Sequence, residues 1–99
     1  MYAVIFIYEI GDNLEGYAEM DKLTLELVSA LPGYLGFQKA GDGKNNIFIS
    51  YWESLEHIDA WRKDPVHTKA KAEGANKWYK RYISQICKVE QSHEMKKQQ

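Results

Sequence analysis

The segment Tyr2-Ala3-Val4-Ile5-Phe6-Ile7-Tyr8 limits the fold more than any other part of this sequence, because both of its alternating sets are apolar. In a β-strand successive side chains point to opposite faces, so Tyr2, Val4, Phe6 and Tyr8 share one face and Ala3, Ile5 and Ile7 the other. A strand of this kind has to be covered on both sides. Ile47-Phe48-Ile49-Ser50-Tyr51-Trp52 repeats the pattern. The chain has 99 residues, room for one domain and no more. Apolar residues make up 44% of it and aromatic residues 13%, enough for a folded core.

The remaining elements follow from punctuation and spacing. Gly11-Asp12-Asn13 has turn chemistry, and Tyr17, Met20, Thr24, Leu27 and Leu31 then recur at helical intervals until Pro32-Gly33, which predicts a helix over about residues 14–30. Tyr34 to Lys39 and Ile47 to Trp52 flank Gly41-Asp42-Gly43-Lys44-Asn45, a loop suited to a hairpin. Ser54 is a good N-cap for a short helix bearing Leu55, Ile58 and Trp61, and Asp64-Pro65 opens another, so the second helical region is expected to be broken in two. In its later piece Val66, Ala70, Gly74 and Trp78 stand four apart, and His67 lies beside that stripe, where the small Ala70 and Gly74 leave room. Tyr82 to Val89 alternates as a last strand, and Ser92 to Gln99 forms a polar, frayed tail.

The order β-α-β-β-α-β is the ferredoxin-like split βαβ arrangement of the α+β class, spanning residues 1–91 with a tail over 92–99. Its helices cover one face of a four-stranded sheet. The second apolar face then needs a cover, and the simplest is a second copy related by two-fold symmetry, which makes a homodimer the expected assembly. A formal net charge of -1 with acids and bases interspersed provides no field for nucleic acid or an anionic membrane. Ala3 to Tyr8 is too short for a membrane span and lacks the flank of a signal peptide, so the expected location is the cytoplasm. The lone Cys87 fits a reducing compartment, and its place on a strand taken as central predicts a buried, inert thiol.

Ser50-Tyr51-Trp52-Glu53-Ser54-Leu55-Glu56-His57-Ile58-Asp59-Ala60-Trp61-Arg62, followed by His67 and then Trp78-Tyr79, resembles the antibiotic biosynthesis monooxygenase superfamily of small dimeric α+β barrels. The resemblance extends over nearly the whole chain in element order. It implies a cleft between helices and sheet, lined here from Tyr8, Trp52, Trp61, His67 and Trp78. The family includes oxygenases that work on polycyclic aromatics without metal or flavin, and heme-degrading enzymes. Heme degraders resemble a pattern with an Asn on the first strand and a ligating His about ten positions after the helix Trp. Lys71 occupies that position here and the first strand has no Asn, so heme degradation ranks below the other readings and no cofactor is expected.

Each candidate has a functional and a structural reading. His67 is a general base for a phenolic proton or a helix-face histidine hydrogen-bonded in the core. Trp52, Trp61 and Trp78 stack on a flat aromatic ligand or simply fill the core. Tyr8 or Tyr51 would donate a hydrogen bond to the substrate. Arg62 holds an anionic substituent or pairs with a neighbouring acid on the surface. His57 and His93 are expected at the surface, and the three histidines fit no ligand spacing, so no metal site is expected. The favoured function is a cofactor-independent monooxygenase acting on a small aromatic or quinol-type molecule, with His67 as base and Tyr51 beside it. The rival is a dimeric module that binds a small ligand without turnover.

Overall fold

A computed structural model describes residues 1–97, so the last two positions of the expected tail lie outside the described residues. The chain runs β1 (Tyr2–Ile10), α1 (Tyr17–Ser29), β2 (Tyr34–Gly41), β3 (Asn45–Trp52), α2 (Leu55–Arg62), α3 (Pro65–Glu73), a π-helical turn (Gly74–Trp78) and β4 (Tyr79–Lys88). The strands form one antiparallel sheet in the order β2-β3-β1-β4. This is the ferredoxin-like α+β arrangement read from the sequence. Among the described residues no helix is long and apolar enough to cross a membrane.

Local chemistry sets the helix ends. Helix α1 begins at Tyr17, later than the expected 14, because Gly16 turns the chain with φ 78°. Only glycine adopts that left-handed conformation without steric cost. The Ser54 hydroxyl accepts the His57 backbone N–H at 3.3 Å and caps α2. The Asp64 carboxylate accepts from Val66 N–H at 2.9 Å and His67 N–H at 3.1 Å, and Pro65 fills the first position of α3. The break between α2 and α3 is therefore built into the sequence, as expected.

The end of α3 departs from expectation. A π-helical turn follows Glu73 and passes the chain directly into β4, which starts at Tyr79 instead of Tyr82. Strand pairing anchors this early start: the Gly11 N–H bonds the Trp78 carbonyl at 2.7 Å, and Ile10 faces Tyr79. Strand β4 is also an edge strand, not a central one, so Cys87 is exposed rather than buried.

Helices cover one face of the sheet. There Val28 of α1 and Ile58 and Trp61 of α2 close over Trp52, with Tyr2, Val4, Leu27 and Tyr34 packed against them. Trp52 is wholly buried, and its indole N–H donates to the Ser50 hydroxyl at 2.9 Å. Among the described residues no helix lies on the other face. Register aligns Ile5 with Ile49, Ile7 with both Ile47 and Ile83, and Ala3 with Tyr51 and Cys87, giving a surface with isoleucine at its centre and Gln38 and Gln85 on the strands at either side. Ile47 and Ile83 are each 42% exposed on it.

Candidate functional site

A cavity of about 560 Å³ lies between the covered face of the sheet and the helices. Val4, Phe6 and Tyr8 of β1 form its floor with Phe48 and Ser50 of β3, the even-numbered set of each strand. Met20 and Thr24 of α1 close one side; Trp61, His67 and Ala70 close another. The volume falls in the range of sites that enclose small organic molecules. It survives here because the break after Arg62 separates α3 from the tightly packed contact that α2 makes with Trp52.

His67 is held by two contacts. Its ring stacks on Trp61 with centroids 4.2 Å apart and planes 10° from parallel, and its Nδ1 lies 3.1 Å from the Trp61 carbonyl oxygen. A carbonyl only accepts, so Nδ1 carries the proton and Nε2 keeps its lone pair. Among the described residues Nε2 has no hydrogen-bond partner. Burial is the main influence on the ring and lowers its pKa below 6.5; the bond to Trp61 and the Asp64 charge oppose this, and the Lys71 charge adds to it. His67 is thus a neutral imidazole near pH 7, with one nitrogen fixed and the other available on a cavity wall.

Phenols gather at another part of the cavity. Tyr8 stacks on Phe6 at 4.9 Å and meets Tyr79 at 5.2 Å, while Tyr17 sits edge-on to Trp78 at 5.5 Å. The Tyr8 and Tyr17 hydroxyls are 3.4 Å apart, a long contact that leaves both able to serve a ligand. Burial first, then neighbouring phenols and Asp21, drive the Tyr8 and Tyr79 hydroxyls far above the ordinary phenol range. They remain protonated donors at any working pH. Gly74 makes this cluster possible: a Cβ there would collide with the Tyr79 ring. Its smallness admits Tyr79, instead of lowering the cavity wall for a ligand as the stripe suggested.

Of the residues expected at the cleft, Tyr8, Trp61, Arg62, His67 and Trp78 all line the cavity. Trp78 is 3% exposed, and its indole N–H donates to the Glu15 carbonyl at 2.8 Å, so it serves as a fixed wall. Trp52 does not line the cavity; it is the centre of the core below, because its neighbours Val28, Ile58 and Trp61 close over it. Tyr51 is on the opposite face of the sheet, where its hydroxyl donates to the Gln38 side-chain oxygen at 2.9 Å. Strand alternation separates it from His67, and it takes no part in this cavity. His57, expected at the surface, is half-buried against Gly33, with Nδ1 2.7 Å from the Ser54 hydroxyl.

Sequence reading missed Tyr17, Tyr34, Tyr79 and Lys71 as cavity residues. The even-numbered alternation of β4 could have indicated Tyr82, Ser84 and Ile86, and Tyr17 belonged to the recognised stripe of α1; Tyr79 had no signal, because the π turn that aims it was not foreseen. Tyr34 packs edge-on against Trp52 at 5.3 Å, and among the described residues its buried hydroxyl has no hydrogen-bond partner. Burial raises its pKa. Among the described residues no three His, Cys, Asp or Glu side chains come together as a metal site would require.

Comparison with known proteins agrees with this geometry. Residues 11–73 match the antibiotic biosynthesis monooxygenase family. The uncharacterized protein YqjZ of Bacillus subtilis strain 168 is 36% identical over 91 residues, covering 90% of this chain and 79% of its own. Three solved structures share the fold. A putative antibiotic biosynthesis monooxygenase from Nitrosomonas europaea superposes with a TM-score of 0.77 at 15% identity, over 92% of this chain and 100% of the other. Rv0793 from Mycobacterium tuberculosis gives 0.79 at 14% identity, over 94% and 98%. SnoaB, a cofactor-independent oxygenase from Streptomyces nogalater, gives 0.76 at 7% identity, over 92% and 94%.

Proposed function

This chain belongs to the antibiotic biosynthesis monooxygenase family, and we propose that it is a cofactor-independent monooxygenase for a small aromatic or quinol-type substrate. The observation that carries the reading is the state of His67: Nδ1–H is held by the Trp61 carbonyl, and Nε2 stays unprotonated on the cavity wall. A base of this kind takes a phenolic or benzylic proton near neutral pH. The resulting electron-rich anion reduces oxygen directly. At a ring carbon bearing two hydrogens, one oxygen atom becomes the carbonyl and the other leaves as water with both hydrogens, so no outside reductant enters.

Tyr8, Tyr17 and Tyr79 supply the complementary chemistry. Tyr8 and Tyr79, held neutral in an apolar pocket, would stabilise negative charge on a substrate oxygen, where hydrogen bonds act more strongly than in water. Trp61 and Trp78 form the walls, and Arg62 lies at the end of α2 beside them. SnoaB, with the same fold, is described as a cofactor-independent oxygenase, which supports the assignment without naming a substrate.

The working unit is a two-fold dimer through the helix-free face. Isoleucines from three strands lie bare there, and a second copy would cover them. Oxygen uptake with an anthrone, measured for the wild type and His67→Ala, tests the catalytic reading. The variant should lose about a hundredfold or more in rate per folded molecule, a loss well beyond whatever melting temperature it gives up with the Trp61 stacking and hydrogen bond. Binding without oxygen uptake in the wild type would establish the ligand-binding module instead.

A further inference from the structure

The cavity is closed more tightly on some sides than on others. Val28, Trp61 and Trp78 are buried in its walls and Tyr8 in its floor. Helix α1 packs against β2 and α2 against β3, whereas β4 meets the π-helical turn at its start. Strand β4 is also an edge of the sheet. Its residues Tyr82, Ser84 and Ile86 line the cavity, yet all three are exposed, Tyr82 at 50% and Ile86 at 44%. The other exposed lining residues are Arg62 and Lys71, on the helices, whose charged ends hold water around them.

Register gives the β4 side its shape. Tyr82 stands beside Tyr8, Ser84 beside Phe6 and Ile86 beside Val4. The row is large, small, large, so at Ser84 the aromatic floor reaches the edge of the sheet with only a hydroxymethyl group in between. The Tyr82 ring bounds this notch on one side, with its centroid 5.5 Å from Phe6 and 6.0 Å from Tyr79, and Ile86 bounds the other. Four residues of strand separate the two rims, about 13 Å from Cα to Cα, wide enough for a flat ring that enters edge first. Alternation points Ile83, Gln85 and Cys87 the opposite way, so the notch opens away from the proposed dimer contact.

We propose that aromatic ligands enter and leave the cavity across β4, through the notch at Ser84 between Tyr82 and Ile86, and that the size of the side chain at position 84 sets how fast they pass and how many rings are admitted. This rests on the reading of the cavity as an aromatic-ligand site and adds its entrance. Passage there carries an apolar ring between two apolar side chains and onto Phe6, with no charged group to desolvate. Passage on the helix side would have to displace the hydrated ends of Arg62 and Lys71.

Stopped-flow quenching of tryptophan fluorescence tests this with 2-naphthol and 2-hydroxyanthraquinone, of two and three rings. Ser84→Val and Ser84→Phe fill the notch in two steps, on an exposed strand position that favours both residues. Association and dissociation should slow together, by about tenfold for 2-naphthol in Ser84→Phe, with less in Ser84→Val and more for the three-ring probe. Because an entrance acts on both directions alike, Kd should stay within about twofold. Unchanged association rates in both variants would overturn the proposal. A weaker Kd with association unchanged would make position 84 part of the wall and overturn it too. If Lys71→Phe slows passage and Ser84→Phe does not, the entrance lies on the helix side and the proposal falls while the cavity stands. If neither probe binds the wild type, the aromatic-ligand reading fails and the entrance fails with it.

Discussion

The two faces of the sheet are built from the same strands and do different work. On the covered face β1 and β3 present Val4, Phe6, Tyr8, Phe48, Ser50 and Trp52, of varied size and polarity, which produces a dense core at one end and a cavity at the other. On the bare face the same strands present Ile5, Ile7, Ile47 and Ile49, similar in shape and without polar groups. Irregular side chains leave a cavity; uniform ones make an even apolar surface, which the proposed dimer would cover. The contrast teaches that one strand can line a cavity on one face and present an even apolar surface, the proposed dimer contact, on the other, because alternate residues answer to separate faces.

The sharpest way to break this comparison is a charge on the bare face. Ile49→Lys places one unpaired ammonium per copy in the proposed interface, and by symmetry both must be desolvated. The expected cost is at least about 5 kcal/mol of dimer stability, read as a monomer by sedimentation at micromolar concentration with far-ultraviolet circular dichroism unchanged. If the wild type itself sediments as a monomer, the assembly half of the comparison is wrong.

Adjacent residues on opposite faces provide the next test. Trp52→Ala should cost about 3–5 kcal/mol in unfolding free energy, since a wholly buried indole leaves a large cavity. Tyr51→Phe removes an exposed hydrogen bond to Gln38 and should stay within about 0.5 kcal/mol in the same denaturation experiment. A large effect on catalysis from Tyr51→Phe would bring that residue back into the site. Tyr34→Phe removes a buried hydroxyl that has no partner among the described residues and should raise stability by about 1 kcal/mol. A loss of stability would reveal a partner for that hydroxyl.

The smallest effect is a pH dependence set by His67. Its folded-state pKa lies below 6.5 because of burial, so the unfolded chain takes up the proton first as pH falls. The stability contribution is fully present above 6.5, declines below it, and levels off once the folded-state imidazole is protonated too. Reaction rate should fall over the same acid range as Nε2 gains its proton. Urea titrations across that range should show the decline in wild type and its absence in His67→Asn.

Much of this molecule was legible in the chain itself. The caps at Ser54 and Asp64, the break before Pro65 and the two-sided alternation of β1 and β3 depend on chemistry within a few residues, and the structure holds each of them. His67, Trp61 and Tyr8 were recognised as cavity residues by resemblance, and Arg62 by its charge. What escaped depended on distant contacts. Alternation showed that Tyr51 and Trp52 face opposite ways, but only packing against Val28, Ile58 and Trp61 decided that Trp52 belongs to the core and Tyr51 to the far face. The edge position of β4, and with it the exposure of Cys87, follows from strand order, which no local pattern encodes. The π turn at Gly74–Trp78 arises where the end of α3 must meet both the Glu15 carbonyl and the register of β1 with β4. Sequence alone determined which residues are apolar and where α2 and α3 start; tertiary structure decided which residues share a cavity, because that depends on groups far apart in the chain packing into one volume.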